Sequence, residues 1–281
     1  MFVASLHRLT GDPEGFRRLQ AAFVQRHRGY RIWHVRRANR VDATESLVVF
    51  FHGGEGEACT SGTSSSFCLG DVALLRPGDT LTTNAPFDAV LFAVPGAFPE
   101  ALPAFLRPDH DPSVADVAGG CATEAGAYRR ALLTWESSQG PYVFQGINTH
   151  RVRMVDSLSH YHPTEGGHDE FYLVQEAGPG AAVLYSDRVA RILEPETVTR
   201  EEVVSLIRRV PVQHGDLIYV PAGVMHRAVA GVLAHVIAVP GFAPGSEIGL
   251  DAHLQRINVA LKLSSHEALP LHRPALSPKV S

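Results

Sequence analysis

Two stretches of the chain concentrate side chains that can bind a metal. The first, SHYHPTEGGHDEFYLVQEAG at residues 159–178, holds His160, His162, His168 and Glu170. The second, GDLIYVPAGVMH at residues 215–226, ends on His226. His160 and His162 are two apart, so on an extended strand both imidazoles point to one face. The residues after Glu170, Phe171 to Val174, are strong strand formers. Imidazole nitrogens with one carboxylate oxygen suit a divalent first-row transition metal. Four such donors leave one or two octahedral positions for water or substrate, and an open position marks a catalytic site. The donor set contains no cysteine, which weighs against structural zinc. Iron, manganese, nickel, cobalt and catalytic zinc stay open.

Other residues share the face of these donors. His168 has the strand parity of Glu170. It is either a competing ligand or a group that orients one from behind. Tyr172 also shares that parity, as a proton donor, a substrate-orienting group or an aromatic that fills core. Counting back from His160 along an unbroken strand adds Asp156 and His150 as inward polar groups. Arg151 and Arg153 then face away. Asp156, His168 and Tyr172 are therefore the candidate catalytic groups around the metal.

The two stretches resemble the paired motifs of the cupin superfamily, HxH followed by Glu and then G-x5-P-x-G-x2-H. The second motif fits without a gap at Gly215, Pro221, Gly223 and His226. The first departs from the pattern. Seven residues separate His162 from Glu170, more than the family motif has. Met154 stands where a glycine is expected, and Gly178 falls one residue late. A longer loop at 163–167, joining two strands of the site, accounts for the spacing. It leaves open whether Glu170 or His168 is the fourth ligand. The resemblance implies one divalent metal (Fe, Mn, Ni, Co or Zn) held by His160, His162, Glu170 and His226. Cupins with a 3-His-1-Glu centre include dioxygenases, decarboxylases and sugar isomerases. Others bind a metal or small ligand without turnover.

An internal repeat extends the resemblance. A shift of 145 residues places Gly70-Asp71 on Gly215-Asp216 and Gly78 on Gly223. It also places Ala93-Val94-Pro95-Gly96 on Ala238-Val239-Pro240-Gly241. The chain thus looks like a bicupin, an all-β protein of two mainly antiparallel jelly-roll (double-stranded β-helix) barrels with a few peripheral helices. Residues 1–122 form a degenerate N-terminal barrel and 123–281 a C-terminal barrel with the metal. Under the shift His226 falls on Leu81 and Pro221 on Arg76, so the first copy is expected to be structural and to carry no metal.

Around these barrels the sequence predicts several helices. Asp12-Pro13-Glu14 opens one, with Phe16, Leu19 and Phe23 on its buried face. Residues 123–137 read as a second, capped by Thr123. Thr199 with Glu202 is a capping box. Residues 250–263 read as a last amphipathic helix. The run Val48 to Phe51 predicts a strand buried on both faces, residues 53–66 a loop, and residues 181–192 a hairpin.

Composition narrows the function classes. A net charge of −4 without a dense Lys/Arg run argues against nucleic acid as the main partner. No apolar stretch approaches the roughly 20 residues that span a bilayer. No signal peptide is evident, and the three cysteines have no metal-type spacing, which fits a cytoplasmic protein. The expectation is a metal-dependent enzyme acting on a small-molecule substrate, as monomer or homodimer. Dioxygenase-type oxidation leads because no basic cluster is committed to a phosphate. A sugar or keto-acid isomerase and a non-catalytic binder are the alternatives.

Overall fold

The computed structural model describes residues 1–6, 13–120, 122 and 127–272. The elements in chain order are β1 (Phe2–Ser5), α1 (Pro13–Arg26), β2 (Arg31–Asp42), β3 (Leu47–Gly53), β4 (Gly56–Thr60) and β5 (Thr63–Phe67). Next come β6 (Val72–Leu75), β7 (Thr80–Ala93), β8 (Phe105–Leu106), β9 (Arg129–Leu133), β10 (Asn148–Asp156) and β11 (His160–Tyr161). The chain continues through β12 (Asp169–Ala177), β13 (Ala182–Ser186), α2 (Val189–Leu193), α3 (Arg200–Leu206) and β14 (Arg208–Pro211). It ends with β15 (Asp216–Val220), β16 (Met225–Val239), β17 (Ile248–Gly249) and α4 (Asp251–Ala260).

The strands form two antiparallel sheets, each folded into a nearly closed jelly roll. In the first, the order is β5-β4-β7-β3-β6-β8, with β2 along the other edge of β7. In the second it is β1-β15-β12-β16-β10-β9, with β11, β13, β14 and β17 attached through the other half of β16. One long strand serves each barrel. The start of β7 pairs with β4 and its end with β3. Likewise β16 pairs with β13 at its start and β12 at its end. The first strand of the chain, β1, belongs to the second sheet, paired to β15.

Strand alternation explains the continuous apolar runs. In β3, Val49 and Phe51 fill the interior of the first barrel. Val48 and Phe50 point the other way, into a core shared with Phe171, Leu173, Leu217, Tyr219 and Ile237 of the second. Helix α1 closes this seam. Phe23 makes edge contacts with Phe92, Phe171 and Tyr219, so one ring touches both barrels.

The 145-residue repeat is structural. Gly70 (φ +96°) and Gly215 (φ +78°) take the left-handed conformation that glycine tolerates. The aspartate after each one closes the same turn. Asp71 accepts from Cys68 N at 3.0 Å and Asp216 from Gln213 N at 2.9 Å. Farther on, Gly78 N donates to Ala43 O and Gly223 N to His162 O, both at 2.7 Å. Across the sheets, Val41 opposes Leu81 as His160 opposes His226. Leu47 opposes Leu75 and Ala93 as Glu170 opposes Val220 and Ala238. The first barrel therefore carries Val41, Ala43, Leu47 and Leu81 where the second carries His160, His162, Glu170 and His226. All four are buried in its apolar interior.

Three expectations are corrected. In place of a helix at 123–137, residues 129–133 form strand β9, which pairs with β10. Backbone pairing to an open sheet edge overrides the local helical pattern. Thr123 and Asp12, the expected helix caps, lie outside the described residues. Within 53–66, β4 and β5 make a hairpin whose Ser61 and Gly62 both have positive φ, the type I′ pattern. Strand β13 pairs not with the next segment but with β14, and α2 and α3 are inserted between them. The Thr199–Glu202 capping box is present at α3.

Candidate metal centre

Three strands of the second barrel and one turn position the donors. His160 on β11 sits directly across from His226 at the start of β16. Glu170 enters β12 between Val220 and Ala238. His162 follows β11 in the turn whose carbonyl takes Gly223 N–H. The long loop between His162 and Glu170 folds tightly. Gly166 has φ +74°, and a side-chain carbon on Gly167 would sit 2.2 Å from the Pro163 carbonyl. The extra residues are thus a compact turn that leaves the donor strands in register.

The donor atoms of His160, His162, Glu170 and His226 lie within 4.8 Å of one another, and all four residues are buried. His226 Nε2 is 3.1 Å from Glu170 Oε2, and His162 Nε2 is 3.4 Å from Oε1. The other ring nitrogens fix the tautomers. His160 Nδ1 is 3.1 Å from the Leu158 carbonyl, and His226 Nδ1 is 3.1 Å from the Val224 carbonyl. A carbonyl only accepts, so each Nδ1 carries the proton and each Nε2 presents a lone pair to the centre. His160 Nε2 and both ring nitrogens of His162 are buried without a hydrogen-bond partner. Buried polar atoms are rarely left so. A metal ion would satisfy His160 Nε2 and one nitrogen of His162, and the donor set fits one.

The electrostatics agree. Burial and the neighbouring imidazoles of His226 and His162 hold His160 well below the ordinary histidine range, so it is neutral. Burial alone would raise the Glu170 carboxyl. His162, His168 and His226 outweigh it and keep the group well below the usual carboxylate range. A neutral His160 beside an ionised Glu170 is the pairing of protonation states a divalent cation needs.

His168 plays a different part from the ligands. Its Nδ1 accepts from Ala243 N and faces the Ser246 hydroxyl, each at 3.3 Å. The proton therefore sits on Nε2, which lies 3.5 Å from Glu170 Oε1. A protonated Nε2 cannot bind a cation, so His168 steadies Glu170. This favours Glu170 as the fourth donor. Behind Glu170, Asp169 accepts from Arg26 Nε at 2.9 Å, His27 Nε2 at 2.7 Å, the Tyr219 hydroxyl and Ala222 N at 2.7 Å. It ties α1 to β12, which carries Glu170, and to the neighbouring β15. Burial would raise its pKa, but His27, Arg26, Ala222 N–H and Tyr219 lower it on balance.

Tyr172 is buried one row deeper than Glu170 on the same face, its ring centroid 6.0 Å from that of His226. Asp156 is not in the site. A bulge between Met154 and Asp156 breaks the strand parity. The carboxylate, 42% exposed, pairs with Arg227 and His272 outside the barrel. Arg151 points away, as expected, into contacts with Gln175, Asp109 and Tyr128.

Three residues near the donors carried no sequence signal. Glu247 precedes β17, and the pairing of β17 with β11 brings its Oε1 to 4.0 Å from His160 Nε2. Its side chain is 27% exposed, and burial followed by the Glu170 charge raises its pKa. Arg129 and Trp135 flank a 20 Å³ chamber beside Glu170, together with Asn148, His150 and Phe242. Trp135 and Phe242 stack there at 4.2 Å.

Solved structures share this architecture. An IolB-like protein from Salmonella typhimurium LT2 matches with TM-score 0.52 at 13% identity, over 81% of this chain and 89% of that one. What the two share is the fold, a pair of antiparallel jelly rolls. Other matches are oxalate decarboxylase from Lactobacillus farciminis (TM-score 0.48, 13% identity, 85% of this chain and 86% of that one) and salicylate 1,2-dioxygenase from Pseudaminobacter salicylatoxidans (0.45, 12%, 74% and 70%). At such identities the likeness is one of fold. No protein-family model and no curated protein sequence matches this chain. Among the described residues, no helix is long and apolar enough to cross a membrane.

Proposed function

We propose that this chain is a metal-dependent enzyme that acts on a small organic substrate, with chemistry of the dioxygenase type. The observation that carries the reading is the buried group of four convergent donors with unsatisfied imidazole nitrogens. A bound divalent transition metal would supply Lewis acidity and exchangeable positions where a redox-active ion can activate dioxygen beside a chelating substrate. The chain supplies the rest. The Leu158 and Val224 carbonyls orient His160 and His226, and His168 steadies Glu170. The Trp135–Phe242 stack gives the chamber beside Glu170 an apolar wall. In the same proposal residues 1–122 are a degenerate barrel that acts as scaffold, and 123–281 carry the chemistry.

One observation favours a second reading. The Glu247 carboxyl beside His160 is placed to move a proton between neighbouring substrate carbons, as an isomerase requires. A single set of assays separates the two. Protein loaded in turn with Fe(II), Mn(II), Ni(II), Co(II) and Zn(II) is screened against small hydroxy and oxo acids and sugars. Oxygen uptake that disappears in His226→Ala is the expected result. Substrate conversion without oxygen uptake, with solvent deuterium entering product, would select the isomerase. Ligand binding without any conversion would overturn the enzyme reading.

A further inference from the structure

We propose that Arg129 and His150 form a carboxylate receptor beside the metal donors, so that the substrate of this site is a small carboxylic acid. The inference rests on the metal-centre reading and adds the substrate class. Arg129 is 7% exposed and lies on β9, the strand added to β10. Its side chain and Glu170 line the same 20 Å³ chamber. The guanidinium charge reaches both other groups there, acting on His150 and on Glu247. A side-chain carbon on Gly120 would sit 3.6 Å from Glu247 Oε1 and 3.9 Å from Arg129 Nε. The two side chains therefore converge where glycine leaves room.

His150 supplies the second contact. It sits beside the Glu170 row, opposite Val236, which in turn opposes Tyr172. Its Nε2 is buried and has no hydrogen-bond partner. A buried, unpartnered polar atom on a residue that lines a chamber marks a place for a ligand atom. The chamber exceeds the roughly 10–15 Å³ that one water needs. It therefore takes one compact group, such as a carboxylate oxygen.

Charge selects the anion. Arg129 gives the chamber one fixed positive charge, which one monocarboxylate balances. A phosphate brings nearly two negative charges and three acceptor oxygens, and it would meet one guanidinium with two glutamates nearby. Arg is the side chain suited to a planar carboxylate.

The test uses full-length protein loaded with Co(II), whose visible spectrum reports on groups entering the site. The probes are acetate, glycolate and pyruvate, and their neutral amides. The acids should perturb the cobalt bands with Kd at least tenfold below the amides. Arg129→Gln should weaken acid binding about tenfold to a hundredfold and leave cobalt content unchanged. Equal binding of acids and amides by the wild type would overturn the proposal, whether or not the variant folds. So would an absence of acid binding to cobalt-loaded protein, while the cobalt spectrum would still uphold the metal centre. Failure to take up cobalt would remove both readings together.

Discussion

Replacing Asp169 by asparagine should loosen the whole site from behind. The carboxylate is buried and has two faces. Oδ1 accepts from Arg26 Nη2 at 3.1 Å and Ala222 N at 2.7 Å. Oδ2 accepts from Arg26 Nε at 2.9 Å, His27 at 2.7 Å and the Tyr219 hydroxyl. An amide has the same shape, but its NH2 must replace one of these oxygens and so face a donor. A lost charge-assisted hydrogen bond costs about 1.5–3 kcal/mol. Arg26 is 39% exposed and can rehydrate, so the penalty of stranding a fully buried charge does not apply in full. The expected loss is about 3 kcal/mol at pH 7, read as a lower midpoint in urea denaturation. The sign with pH follows from the depressed pKa of Asp169. Its contribution is present above the ordinary carboxylate value near 3.9 and is lost as pH falls below it. Wild type and Asp169→Asn should therefore converge in stability toward pH 2. A loss under about 1 kcal/mol, or a gap that stays constant into acid, would refute this reasoning.

Other outcomes follow from the same structure. Phe23→Ala removes the ring that touches both barrels and should cost about 3–5 kcal/mol in urea denaturation without changing metal stoichiometry. His168→Phe should keep the metal but weaken its affinity about tenfold to a hundredfold, measured by competition with a chelator, because Glu170 loses its support. His34 and His52 share one hydrogen bond, Nε2 to Nε2 at 2.8 Å. Burial lowers them to about 4 and about 3. Such groups stabilise fully above the ordinary value near 6.5, and the contribution falls as pH drops toward 3. His52 is 2% exposed, and between pH 7 and pH 5 it should account for about 2 kcal/mol of lost stability. His52→Phe should lose that much less over the same range.

The parts of the site visible in the sequence were those set by local backbone rules. Gly215, Asp216 and Gly223 mark turns whose positive φ and side-chain cap belong to a few consecutive residues. The same marks at Gly70, Asp71 and Gly78 exposed the first barrel. Strand alternation was enough to put Tyr172 on the face of Glu170. It failed at Asp156, where one bulge turned the side chain out. Residues 129–133 carry a local helical pattern, and what makes them extended is pairing outside the segment, to β10 and to Asp116. That pattern also hid Arg129. Glu247 is placed by a strand of two residues, too short to leave any periodicity. The hairpin at Thr60–Thr63 did leave a signal, Ser61-Gly62, in a segment whose serine and glycine content resembled a loop.

The central claim is that four residues of the second barrel hold a metal. The most direct measurement is plasma mass spectrometry of protein purified without an affinity tag, beside the His160→Ala/His226→Ala double variant. The account predicts near-stoichiometric iron, manganese, nickel, cobalt or zinc in the wild type and its loss in the variant. Absence of metal from the wild type, even after reconstitution with each ion, would contradict it.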